Sequence, residues 1–196
     1  MRINGDQPGS LYTRTGRRKY VTPDERSRFL AASLECPRAD QRTLCLTLAH
    51  MGCRISEALA LTVSCIEREG GFIAFRTLKK RRGMIVIREV PAPAELLEAL
   101  STVHPMENLH PDARLWTLSR SRAWQLVKDM MKAARIGPGI HATPKGLRHG
   151  FGIHAIRSGV PLNLVQRWLG HNNMATTAIY LQAMGDDERA IASRMW

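Results

Sequence analysis

Apolar positions change period twice along this chain. From residue 22 to about residue 61 they fall at helical spacing. Thr22, Pro23 and Glu25 form a helix start: an N-cap, a proline at the first helical position and a capping-box glutamate. The helix that follows turns Phe29, Leu30 and Leu34 inward and stops near Pro37. Residues 40–51, with Leu44, Leu46, Leu48 and Ala49, read as a buried helix ended by Gly52. Ser56 then caps a short helix through Glu57, Ala58, Leu59 and Leu61. After Gly70-Gly71 the spacing becomes strand-like. Phe72, Ile73 and Phe75 form one strand and residues 84–87 a second, with 79–83 as the turn and 66–68 as a short third strand. Pro91 and Pro93 close this patch. Helical spacing returns over 94–100. A loop over 102–114 precedes another helix, from Ser121 through Trp124, Val127, Met130, Met131 and Ala134 to the Gly137-Pro138-Gly139 break. Helices over 145–157, 161–169, 174–183 and 188–195 complete the chain, the first two ended by Gly159 and Gly170. The pattern predicts an irregular arm over 1–20 and one domain over 21–196, mainly α with a small antiparallel β-sheet (α+β).

Composition narrows the class. With 196 residues, 44% of them hydrophobic, the chain can bury a core without staples and is not disordered. No apolar run approaches the roughly 18 residues of a membrane span, and no secretory segment follows Met1. Cys36, Cys45, Cys53 and Cys65 form no CxxC pair and read as reduced core thiols of a cytoplasmic protein. Charge changes the picture more. Lys and Arg number 29 against 17 Asp and Glu, a net charge of +12, which points to a polyanionic partner. Arg14, Arg17, Arg18 and Lys19 read as a flexible basic arm able to lie along phosphates. Arg76, Lys79, Lys80, Arg81, Arg82 and Arg88 surround the predicted hairpin.

Three segments carry candidate chemistry. Lys145, Arg148 and His149 share a helix face just past a helix start, where they can bind a phosphate or form a solvated basic face. His171 follows Gly170 at a helix junction. Tyr180 falls about two turns into the next helix, where Ile179 and Leu181 also suit a core residue. Arg54 lies between two helices, with Glu57 three residues on and able to hold its guanidinium.

Together, these segments resemble the tyrosine recombinase family, also called the phage integrase family. The first family box, G-x-R-x-S-E-x-x-x-L, is matched by Gly52, Arg54, Ser56, Glu57 and Leu61. The second, H-x-L-R-H, reads Lys145-Gly146-Leu147-Arg148-His149, and the third, L-G-H, reads Leu169-Gly170-His171 and leads to Tyr180. The resemblance covers about residues 20–196. It implies a catalytic domain in which Tyr180 attacks the scissile phosphate, leaving a 3′-phosphotyrosine and a free 5′-hydroxyl. Arg54 and Arg148 would clamp the non-bridging oxygens, and His171 would donate a hydrogen bond to the same phosphate. A hairpin lysine would protonate the leaving oxygen: Lys79 by its place at the end of the first strand, with Lys80 as the alternative. The resemblance implies no metal and no cofactor. It implies double-stranded DNA as partner and a homotetramer on paired sites, with weak self-association without DNA. An accessory DNA-bending protein, a bacterial, phage or plasmid origin and a cytoplasmic location without membrane contact complete that picture.

Three features depart from the family pattern. Lys145 stands where many members have histidine, and a lysine is no neutral base at pH 7 unless its pKa is strongly lowered. Activation of Tyr180 then rests more on the arginines and His149. Arg81, Arg82 and Arg88 read as backbone-phosphate contacts. Only about 20 residues precede the matched region, which fits either an excised domain or a small recombinase of the fimbrial-inversion kind, with the basic arm replacing part of a clamp. Residues 186–196 read as an amphipathic helix that packs on its own domain or docks on a neighbouring protomer. Two other functions share the chemistry or the fold: a type IB topoisomerase, and a catalytically impaired DNA-binding accessory or regulatory protein.

Overall fold

The capping box at Thr22 forms as predicted. Thr22 Oγ1 accepts from the Glu25 N–H, and Glu25 Oε2 accepts from the Thr22 N–H at 2.9 Å. It opens α1 (Pro23–Leu34) in a computed structural model that describes residues 10–76, 86–183 and 192–193. The chain continues through α2 (Ala39–Met51), α3 (Ile55–Ala58), β1 (Ile66–Glu67), β2 (Phe72–Arg76), β3 (Ile87–Pro91), α4 (Ala94–Val103) and α5 (Arg120–Ala133). The last elements are α6 (Pro144–Arg157), α7 (Leu162–Leu169) and α8 (Ala175–Ala178), which runs into a 3-10 turn over Ile179–Ala183.

Two apolar clusters organise these elements. In the larger, α2 is buried along most of its surface and packs against α1, α4, α5 and α6. Phe29, Leu44, Leu48, Met51, Ile73, Phe75, Leu96, Leu100, Val127 and Leu147 meet there. The three strands pair antiparallel in the order β1-β2-β3, with Ile73 opposite Val90 and Phe75 opposite Arg88. The smaller cluster gathers Leu11, Phe151, Ile153, Ile156, Val165, Leu169 and Tyr180. Helix α6 serves both: Leu147 enters the first, Phe151 and Ile156 the second.

Several elements differ from the sequence pattern. Residues 84–85 of the predicted second strand lie outside the described residues; β3 runs Ile87–Pro91, and Val86 and Ile87 are exposed. The inward positions of β3 are Arg88 and Val90, so a buried arginine interrupts the hydrophobic alternation that marks a strand. Helix α3 has Arg54, not Ser56, at its N-cap position, because Glu57 Oε2 accepts the Arg54 N–H at 2.8 Å. Leu34 is 56% exposed at the end of α1. Trp124 also faces outward, with the Lys128 ammonium over its ring, while Ala123, Leu126, Val127 and Met131 form the buried face of α5. Helix α4 runs three residues past the predicted end, and a 3-10 turn at Met106–Asn108 sits inside the predicted loop.

Residues 10–20 are not an irregular arm. They fold into a hairpin in which Tyr12 bridges Arg18 and the Lys19 N–H donates to Leu11 O. Leu11 is fully buried in the smaller cluster, which holds the hairpin against the domain. The four cysteines are free thiols. Among the described residues no helix is long and apolar enough to cross a membrane. Of the predicted tail helix over 186–196, all but residues 192–193 lies outside the described residues.

Candidate active site

Two helices end on glycines in the left-handed region: α2 at Gly52 (φ 57°) and α7 at Gly170 (φ 64°). Arg148, on α6, joins the two ends. Its Nη1 donates to Gly52 O at 2.8 Å and its Nη2 donates to Leu169 O. A guanidinium suits both places, since each helix end presents unpaired carbonyls and the negative pole of its dipole. The arrangement brings Arg54, two residues beyond Gly52, to the same site as His171, one residue beyond Gly170.

Glu57 sits between the arginines. Its Oε1 accepts from Arg54 Nη1 at 2.7 Å and from Arg88 Nη1 at 3.3 Å. Its Oε2 accepts from Arg88 Nη2 at 2.8 Å, and Arg148 Nη1 lies 4.0 Å away. Burial would raise the Glu57 pKa, but the charge and hydrogen bonds of Arg88, with help from Arg54, hold it below its ordinary value. Burial, then the neighbouring Arg54 charge, lowers Arg148 to about 10, so it stays protonated at neutral pH.

Tyr180 occupies the 3-10 turn, earlier in its element than the predicted position two turns into a helix. Its side chain is 1% exposed and lies flat against α6 at Gly152, where a β-carbon would fall 2.6 Å from the ring. The ring is thus a core residue of the smaller cluster. The Tyr180 hydroxyl lies 3.2 Å from His149 Nδ1. Burial pushes the phenol up to about 12, although Arg148 and Arg54 pull it the other way. Burial, then Lys145 and Arg148, pushes His149 down to about 4. At neutral pH the phenol keeps its proton beside a neutral imidazole. The His171 ring stacks on the Tyr180 ring, with centroids 6.3 Å apart, and its Nδ1 lies 2.9 Å from Thr177 Oγ1. His171 is lowered to about 3 by burial, then by Arg148 and Arg54.

Of the residues singled out from the sequence, Arg54, Glu57, Arg148, His149, His171 and Tyr180 converge here. Lys145 is exposed one turn before His149 on α6. Arg88 is not a surface phosphate contact. It is buried against Glu57, donates to Trp168 O at 2.8 Å and lies over the Phe75 ring. Arg18 is likewise engaged, donating through both terminal nitrogens to Glu25 and to Tyr20 O. Arg14 and Arg17 are exposed near the hairpin tip, and Lys19 is half-buried. Lys79, Lys80, Arg81 and Arg82 lie outside the described residues. Thr177, buried against His171, was missed, because a threonine inside a short helix carries no distinguishing pattern. Among the described residues no group of three or more His, Cys, Asp or Glu side chains could hold a metal.

The sequence profile of the Phage integrase family matches residues 19–185. The chain belongs to that family. Among curated proteins of this family it is 31% identical over 182 residues to a tyrosine recombinase of Thermosipho africanus, a match covering 87% of this chain and 59% of the relative. It is also similar to the crystal structure of XerA recombinase, with a TM-score of 0.72 and 25% identity over 87% of this chain and 65% of that one. The family fold recurs in XerH site-specific recombinase bound to its palindromic difH substrate after cleavage, at a TM-score of 0.72 and 22% identity over 88% of this chain and 52% of that one. The chain spans less than two thirds of the length of the curated relatives it matches.

Proposed function

We propose that this chain is the strand-cleaving part of a site-specific DNA recombinase that cuts and rejoins double-stranded DNA through a 3′-phosphotyrosine. The observation that carries this reading is the Tyr180 hydroxyl beside His149, in a site where Arg54, Arg148 and His171 all act on one small volume. In the reaction the Tyr180 oxygen attacks phosphorus as its proton passes to His149. A phenol near 12 does not ionise against an imidazole near 4 before attack begins. Bond formation to phosphorus makes the phenolic proton acidic, so the transfer belongs to the transition state. Arg54 and Arg148 neutralise the charge that builds on the non-bridging oxygens, and His171 donates to the same phosphate. The 5′-oxygen leaves with a proton from Lys79 or Lys80. Attack by a 5′-hydroxyl on the phosphotyrosine reverses the steps and reseals a strand. Lys145 serves as a phosphate contact rather than as a base, and Arg14 and Arg17 extend the basic surface along the duplex. The reading implies four copies pairing two DNA sites, with an accessory DNA-bending protein where the site requires one, acting on DNA in the cytoplasm.

Covalent trapping tests it. Nicked duplexes built from the DNA flanking the gene should yield a denaturant-resistant protein–DNA adduct, and Tyr180→Phe should yield none. DNA binding without an adduct on every flank would overturn strand cleavage and favour a DNA-binding accessory role.

A further inference from the structure

Thr177 is fully buried on α8, with its hydroxyl 2.9 Å from Nδ1 of His171. A buried hydroxyl proton left without an acceptor is costly, so it must have a destination. A helical threonine commonly sends that proton to the carbonyl one turn back. No such bond forms here, and His171 Nδ1 is the hydroxyl's one hydrogen-bond partner among the described residues. The proton therefore points at Nδ1, which must offer its lone pair. Burial, then the charges of Arg148 and Arg54, opposes a positive charge on the His171 ring. A neutral imidazole carries one N–H, and the bond at Nδ1 decides which nitrogen holds it.

We propose that Thr177 is a positioning residue: its hydroxyl holds the His171 proton on Nε2, so that the neutral ring presents an N–H, not a lone pair, to the scissile phosphate. The opposite tautomer would aim a lone pair at an anion and remove a donor from the site. The bond has a second effect. Thr177 is three residues before Tyr180, so it also ties the short segment that carries the nucleophile to the turn that follows α7. The tautomer follows from the buried hydroxyl alone, whereas its use rests on the reading that His171 binds the phosphate.

Two measurements test the two halves separately. Long-range proton–nitrogen NMR of the free protein reads the tautomer directly. The native protein and Thr177→Ser should show His171 protonated on Nε2, and Thr177→Val should lose that preference. An Nδ1–H ring in the native protein overturns the proposal whatever the activity. Single-turnover adduct formation on the nicked duplex that traps best should fall by about tenfold or more in Thr177→Val. DNA affinity should stay within about twofold, and Thr177→Ser should recover most of the rate. Cleavage by Thr177→Val at the native rate, or an equal loss in Thr177→Ser, overturns the role. A native protein that forms no adduct instead overturns the strand-cleaving reading, and the NMR result then decides the Thr177–His171 bond by itself.

Discussion

The ends of α2 and α7 are built alike and packed differently. Each closes on a left-handed glycine, and each is followed within two residues by a side chain proposed to bind phosphate: Arg54 after Gly52, His171 after Gly170. The α2 end rests on hydrocarbon, since a β-carbon on Gly52 would meet the Phe151 ring, 2.5 Å from Cγ. The α7 end rests on charge, since a β-carbon on Gly170 would fall 3.2 Å from the Arg88 guanidinium. Arg148 bonds both ends, but the α2 end adds close packing against a ring, whereas the α7 end adds the Arg88–Glu57 pair. The framework reaches both residues, since Glu57 holds Arg54 directly while Arg88 and Arg148 hold the carbonyls of Trp168 and Leu169 just before His171.

The largest effect should come from breaking the residue common to both ends. An Arg148→Lys ammonium can reach Gly52 O or Leu169 O but cannot fork to both, and it presents no planar pair of donors to a phosphate. Adduct formation should fall by about 10³-fold, with DNA binding much less affected. Near-native cleavage would show that one helix end suffices.

Substituting the glycines separates the two packings. Gly52→Ala combines a strained backbone with a clash at the base of the Phe151 ring, and should cost about 3 kcal/mol in a urea titration. Gly170→Ala meets a flexible guanidinium and should cost about 1–2 kcal/mol, mostly backbone strain. Phe151→Ala removes the clashing Cγ and Cδ1, so in that background Gly52→Ala should cost less than in the native protein, while Gly170→Ala should cost the same. Equal losses, or no rescue, would remove the distinction between the two ends.

The smallest effect is a pH dependence confined to the ionic framework. Glu57 has a folded pKa below its ordinary 4.5, so its contribution is complete above that value and is lost as pH falls through the folded value. The stability gap between the native protein and Glu57→Gln should therefore stay constant above about pH 4.5 and narrow as pH falls below it. A constant gap would show that the carboxylate charge contributes nothing to holding Arg54 and Arg88.

What the sequence makes legible here is local. The Thr22–Glu25 box and the glycine stops at residues 52 and 170 each depend on neighbours a few residues away, and each is found in place. What it hides depends on partners far along the chain. Arg88 looks like a surface cation until Glu57, 31 residues earlier, is seen beneath it. Arg18 looks free until its fork to Glu25 is seen. Hydropathy places charge outside, and only a paired charge can break that rule. Thr177 is hidden for a related reason: its importance lies in one hydrogen bond to a ring six residues away.

The arginines that hold this fold together also change how its charge can be used. Arg18, Arg26, Arg28, Arg42 and Arg88 bond to carbonyl or carboxylate oxygens of the chain itself. A cation already satisfied by its own protein displaces few counterions from a polyelectrolyte. The ions released on association are thus set by the cations placed to reach the phosphate backbone, and not by the net charge of +12.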